Sequence, residues 1–395
     1  MKFLSRIGIL LVIPFLNGCL EPFNPDVQDS GKSYLVVDGM ITNRQGPYAV
    51  KITRSVSLNS EEPPVPVQGL EVYIEEEDGI SEKLIEKEKG NYQTNGLQGE
   101  TGRRYRLRFE VDGTEYLSSW EKINSSATID SVYHRVEKHG TTDIENDVSG
   151  VQFYITNHGT SNDATYYRYQ WEETWRIGVV YPCYQDYLGN DMVRPTENPR
   201  YTCWKYYYPV GINLATTQGL SNNILSEHKL PFVTGEDERL LLEYSLLVKQ
   251  YSLDEKEYLF WKALKESNEQ IGGLYDKQPG NISGNIYSNS TSKNDIVLGY
   301  FSACGEEQKR VFISGYGRLS NMIPCGVKLE ELYKADLGDS YDAVIFGKLN
   351  AGKMFYNFIR PNGAPFPIGI ILSDERCSDC QRKGGSTKKP DFWHD

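Results

Sequence analysis

The sequence predicts a mainly β protein: an immunoglobulin-like or prealbumin-like sandwich over residues 34–125, then a larger β-rich region over 126–395 with one clear helix. Three observations carry this reading. Short runs alternate apolar and polar residues at the two-residue period of a half-buried strand, with turn formers between them. Tyr is frequent, at 28 residues beside 14 Phe and 6 Trp, and aromatics suit pleated surfaces. Helical periodicity is confined to one stretch. At 395 residues the chain exceeds what one hydrophobic core serves, and 39% hydrophobic content suits a globular fold.

At the N-terminus, Lys2 and Arg6 precede the apolar run Ile7 to Phe15, which leads into Leu16-Asn17-Gly18-Cys19. The run is short for a membrane span, and a small residue stands directly before a cysteine. This reads as a lipoprotein signal peptide over residues 1–18. The thiol of Cys19 would take a diacylglyceryl group, cleavage would expose its amine for a further acyl chain, and several chains anchor durably where one does not. Residues 19–33, with two prolines, two Asp and one Glu, read as a tether.

In the first body, strands are expected at Tyr34–Val37, Ala49–Thr53, Leu70–Ile74, Tyr105–Phe109 and Thr114–Leu117. Asp78-Gly79 and Asp112-Gly113 are expected as the hairpin turns. The acids Glu75 to Asp78 suggest a cation site, but four acids at a hairpin tip read more simply as a solvated turn.

The second region opens at Ile129–Val132. The strand Tyr166–Trp175 carries Tyr167, Tyr169 and Trp171 on one face and Arg168, Gln170 and Glu172 on the other. The aromatic stripe could stack on sugar rings, but the period favours a core. Leu240–Gln250 fits either helix or strand. Ser252-Leu253-Asp254-Glu255 fits a capping box, helix formers continue to Gln270, and Gly272-Gly273 supplies a stop. Further strands are expected at Ile282–Tyr287, Ile296–Phe301 and Arg310–Ile313.

Besides Cys19 there are six cysteines: Cys183, Cys203, Cys304, Cys325, Cys377 and Cys380. An even number in an exported chain suggests disulfides, with fifteen connectivities open. Proximity favours Cys183 with Cys203 and Cys304 with Cys325, each loop worth ~3 kcal/mol, leaving Cys377 for Cys380. A structural bridge is preferred to a redox pair or a half zinc site, because the glycine-rich tail has no strand-helix context and only His394 lies near.

The acidic excess, 54 acids against 42 bases and a formal net charge of −12, excludes a phosphate-backbone binder. Catalytic patterns are near misses. Gly280-Asn281-Ile282-Ser283-Gly284 has its serine fourth rather than third for a nucleophile elbow. Asp143-Ile144-Glu145-Asn146-Asp147 alternates acids like a calcium loop but has Val148 at the sixth position and Tyr154 at the twelfth, so a hairpin loop is favoured. No metal or cofactor motif is found.

The lipobox Leu16 to Cys19, the strand Tyr34 to Gly39, Tyr258-Leu259-Phe260-Trp261, Gly284-Asn285-Ile286 leading to Gly299-Tyr300-Phe301-Ser302, and the ending Cys377 to Cys380 with Lys389 to Trp393 together resemble a family of Bacteroidota outer-membrane lipoproteins, domain of unknown function 4249. The resemblance implies a two-part β protein whose relatives accompany SusC-type TonB-dependent receptors. It supplies no catalytic residues, and it marks Cys304 and Cys325 as additions, which favours their pairing with each other. The function expected is therefore an accessory that binds a small molecule, glycan or peptide at the outer membrane, with its body towards the cell surface. The alternatives are a hydrolase of an extracellular polymer and an adhesive surface protein. In the tail, Arg382, Lys388, Lys389, Phe392 and Trp393 combine charge with large apolar groups, and are expected to dock on the body or on the receptor.

Overall fold

A computed structural model describes residues 33–57, 60, 62–140, 147–160, 163–270, 282–289, 296–316, 325–362 and 364–394. Cys19, the signal peptide, most of the tether, the acids Asp143 and Glu145, and the Gly272-Gly273 stop lie outside the described residues. The protein is mainly β.

Its spine is a ten-stranded sheet. Six of the strands run side by side in the spatial order Thr202–Tyr207, Tyr166–Gly178, Glu243–Leu253, Val297–Ser314, Leu35–Thr42 and Ala49–Arg54. The 297–314 strand is the joint. Its first part runs parallel to 35–42, with Leu35 opposite Val297 and Thr42 opposite Cys304. Its second part runs antiparallel to 243–253, from Gly305 opposite Ser252 to Ser314 opposite Glu243. The two short strands expected here are thus one strand of 18 residues. The polar stretch between them resembled a loop because Glu306, Gln308 and Arg310 occupy its face away from the core.

One side of this sheet closes two separate cores. In the first, Val37, Ile41, Val50 and Ile52 meet Ile74, Leu107 and Phe109 of a six-stranded sheet, all fully buried. Every strand expected in the first body is present, and two later segments join it: Ile286–Ser288 pairs with Thr114–Ser118, and Val297, Phe301 and Ala303 enter its core. Asp112 and Gly113 both have positive φ, 51° and 78°, as a primed hairpin turn requires.

The second core lies between the spine and a three-stranded sheet of Thr128–His139, Val148–His158 and Ile224–Thr234. Val151, Phe153 and Ile155 meet Tyr167, Tyr169, Leu246 and Val248. The aromatic stripe is therefore core at Tyr167 and Tyr169, with Trp171 half-buried at its margin. The ambiguous 240–250 segment is a strand, preceded by a 3-10 turn at Glu238–Leu240. A smaller third core, including Tyr187, Ile345, Phe355 and Leu372, closes the unit formed by 184–195 and 330–374.

The expected helix spans Glu255–Gln270. Its first turn is capped by Asp254, whose Oδ1 accepts from Glu257 N at 2.7 Å, and not by Ser252, which ends up buried in the preceding strand. A second helix, Tyr341–Asn350, escaped the sequence reading because Val344, Ile345 and Gly347 dilute its helical signal.

The disulfides depart from proximity. Cys203 bonds Cys380 and Cys325 bonds Cys377, while Cys183 and Cys304 are free and buried. Cys377 and Cys380 sit on successive short helical turns and reach different partners, so they do not bond each other. Cys304 lies in the 297–314 strand beneath the 255–270 helix, in a small core with Tyr251 and Leu253, away from Cys325. Cys183 is held beside Ser373, with its sulfur 3.5 Å from the hydroxyl.

Candidate ligand-binding groove

Strand alternation decides what the other side of the spine presents. On 166–178 the odd residues Tyr167 and Tyr169 face the second core, so Arg168, Gln170 and Glu172 face away. Lys249 and Tyr251, Glu306 and Gln308, and Asp38 and Met40 lie on the same face of neighbouring strands. Together they floor a groove of about 830 Å³. The turn at Arg44 to Tyr48 and the segment Tyr208 to Ile212 form its walls, the latter strongly exposed at Val210. One end is closed by Trp261 of the 255–270 helix.

The floor is arranged in rows. Arg168 stands opposite Tyr251 and Tyr251 opposite Glu306; one step along, Gln170 stands opposite Lys249 and Lys249 opposite Gln308. Lys249 pairs with Glu172 at 2.5 Å. Glu306 is buried, accepts from the Thr42 hydroxyl at 2.8 Å and from the Gln308 amide, and its backbone N–H donates to Asn43 Oδ1 at 2.6 Å. Arg168 is only 4% exposed. Its guanidinium carbon lies 4.1 Å from the Trp261 ring centroid and 5.2 Å from that of Tyr251. Its Nε has no hydrogen-bond partner, and no carboxylate lies within ion-pairing distance among the described residues. Glu257, beneath Trp261, accepts from that indole at 3.0 Å and from the Ser302 hydroxyl.

Burial raises the pKa of Tyr48, Tyr251 and the Cys304 thiol, with Glu306 adding to the rise at Tyr48 and Tyr251, and burial also raises Glu257. The tyrosines stay neutral hydrogen-bonding groups, and the Cys304 thiol is kept protonated and unreactive. Among the described residues no three His, Cys, Asp or Glu side chains are placed to hold a metal.

Sequence-expected sites fall elsewhere. At the 75–78 hairpin, Glu75 is bound by Arg106 at 2.7 Å and Arg108 at 2.5 Å, and Glu76 by Arg103 at 2.7 Å, so these acids are ion-paired rather than only solvated. In the tail, Arg382 pairs with Glu375 at 2.9 Å, Lys388 is exposed and Lys389 half-buried. Phe392 lies under the Arg310 guanidinium at 3.5 Å, and Trp393, 5% exposed, packs edge-on against Trp204 and Phe312. The groove itself was missed, although its signal was present: the polar residues Arg168, Gln170 and Glu172 alternate with a core stripe in a strand buried inside a sheet.

The family described as Domain of unknown function (DUF4249) matches residues 20–310, about three quarters of the chain. The chain belongs to that family. All groove-lining residues, from Asp38 to Gln308, fall inside the DUF4249 match, whereas Cys325, Cys377, Cys380 and the tail lie beyond it. No curated protein matches the chain.

Proposed function

We propose that this DUF4249 protein is an outer-membrane lipoprotein, anchored through Cys19, whose groove binds a ligand on behalf of a SusC-type TonB-dependent receptor. The groove carries the reading. It is open, of small-molecule size, lined by both aromatic and hydrogen-bonding groups, and confined to the part of the chain that the family shares. The exposed rim at Tyr207, Tyr208 and Val210 supplies aromatic and apolar surface of the kind enriched at protein interfaces. The attachment proposed is an acyl anchor, on the strength of the apolar run Ile7 to Phe15 leading into Leu16-Asn17-Gly18-Cys19. Hydrolysis is the weaker reading, because Glu172 is ion-paired with Lys249 and Glu306 is engaged by Thr42 and Gln308.

The test is detergent extraction of the native protein followed by affinity capture. A β-barrel receptor should co-purify with the wild type, and Cys19→Ser should lose palmitate labelling. Capture of the lipidated protein without any barrel partner overturns the accessory role; palmitate incorporation in Cys19→Ser overturns the anchor.

A further inference from the structure

We propose that Arg168 is the ligand anchor of the groove and takes the carboxylate of a small organic acid. This deepens the binding role proposed above and rests on it. A guanidinium removed from water is costly unless paired, and one that remains charged needs its donors satisfied. Arg168 is 4% exposed, yet its Nε is unpartnered and no carboxylate reaches it among the described residues. What holds it is aromatic: Trp261 at 4.1 Å and Tyr251 at 5.2 Å. These contacts fix the plane of the fork without consuming its N–H donors, which is the arrangement that prepares a planar bidentate site.

The neighbouring acids leave its N–H donors unused. Glu257 interacts with Arg168 through charge alone, outside ion-pairing distance, while its Oε1 accepts from Ser302 and Trp261. Glu306 stands beyond Tyr251 in the same row, about 10 Å away by strand spacing. Asp38, Glu172 and Glu306 line the groove together with Arg44, Lys51, Lys249 and Arg168, and Glu172 is taken by Lys249, so shape rather than net charge selects the anion. A planar carboxylate matches the planar guanidinium fork through two parallel N–H···O bonds. The next row offers Gln170 and Gln308 for the polar groups of the same ligand.

The experiment is ligand-observed NMR on the purified full-length lipoprotein in detergent. Acetate, benzoate and glucuronate are compared with their neutral counterparts acetamide, benzamide and glucose, and with inorganic phosphate. At least one acid should bind tenfold or more tightly than its neutral partner and more tightly than phosphate. Arg168→Lys, which keeps the charge and the stem, and Arg168→Gln should each weaken that acid at least tenfold. The proposal is overturned if no acid outbinds its neutral partner in the wild type, if phosphate binds as tightly, or if a folded Arg168 variant binds unchanged. The wild-type comparison decides even where a variant fails to fold. Because no receptor is present, loss of receptor co-purification leaves this result standing, and the two failures are distinct.

Discussion

Asn285 holds the backbone of Phe301 from both sides: its Oδ1 accepts from Phe301 N at 2.9 Å and its Nδ2 donates to Phe301 O at 2.8 Å. Phe301 lies where the 297–314 strand pairs with 35–42 on one edge before it turns to 243–253 on the other. Asn285 therefore stands in for a strand neighbour at the joint, and its Nδ2 also reaches Glu121 at 2.9 Å. The flanking glycines permit the approach. A Cβ on Gly284 would come within 1.7 Å of Gly299 O, and one on Gly299, at φ +96°, within 1.9 Å of Val37 O.

Asn285→Ala should accordingly cost about 2–4 kcal/mol, because the two backbone groups of buried Phe301 lose their partner together. Urea unfolding measures it. A loss under about 0.5 kcal/mol, the range of an ordinary surface substitution, would show that the joint is held by strand pairing alone.

The disulfides make a second prediction. Native protein should offer no reactive thiol, and denatured but unreduced protein should offer two, Cys183 and Cys304. The Cys203–Cys380 bond spans 177 residues and Cys325–Cys377 spans 52. Removing either pair should cost about 4–5 kcal/mol in the chain-entropy model, more for the longer loop. Peptide mapping without reduction checks the connectivity, and a Cys377–Cys380 peptide would contradict it.

The architecture was legible wherever alternation was strong and local, as at Val72–Glu76 and Arg104–Val111, where one face is core and the other solvent. Pairings across long separations were not legible. Proximity is a sound guess for cysteines in an unknown fold, but Cys203 meets Cys380 because the tail returns to the 202–207 strand, a tertiary fact. The groove escaped for a related reason. Arg168 and Glu306 are 138 positions apart and become neighbours only when the 243–253 strand lies between them. Gly284-Asn285 and Gly299 to Ser302 stood out in the sequence without a reason, and the hydrogen-bonded joint supplies one.

A third prediction concerns pH. Burial, with a smaller contribution from Lys265, lowers the His228 pKa from 6.5 to about 4; its Nε2 lies 2.6 Å from Asn213 Oδ1 and its ring 5.1 Å from that of Tyr169. The folded state thus binds a proton less readily than the unfolded chain. Stability from this group is complete above about pH 6.5 and is lost as pH falls towards 4, by on the order of 2–3 kcal/mol. His228→Gln should flatten that part of the stability profile. An identical acid slope in wild type and variant would refute the assignment.

The last prediction concerns the tail. Trp204 and Ser386 exchange backbone hydrogen bonds at 2.9 Å in both directions, which lays the tail along the edge strand of the spine. Seven residues on, Trp393 turns inward against Trp204 and Phe312, and its Nε1–H donates to Glu243 at 2.8 Å. Such burial makes the tail part of the body, the first of the two docking outcomes expected from the sequence. Trp393→Ala should cost about 3–5 kcal/mol, as for other buried aromatic truncations. Phe392→Ala should cost less, since Phe392 is 37% exposed and contributes mainly through Arg310. Lys388→Ala should stay within about 0.5 kcal/mol, because Lys388 is exposed. Deleting residues 388–395 should then lower the melting temperature of the purified protein by itself, with no partner present. A truncated chain that melts at the wild-type temperature but no longer captures its receptor would move Phe392 and Trp393 from the body to an interface.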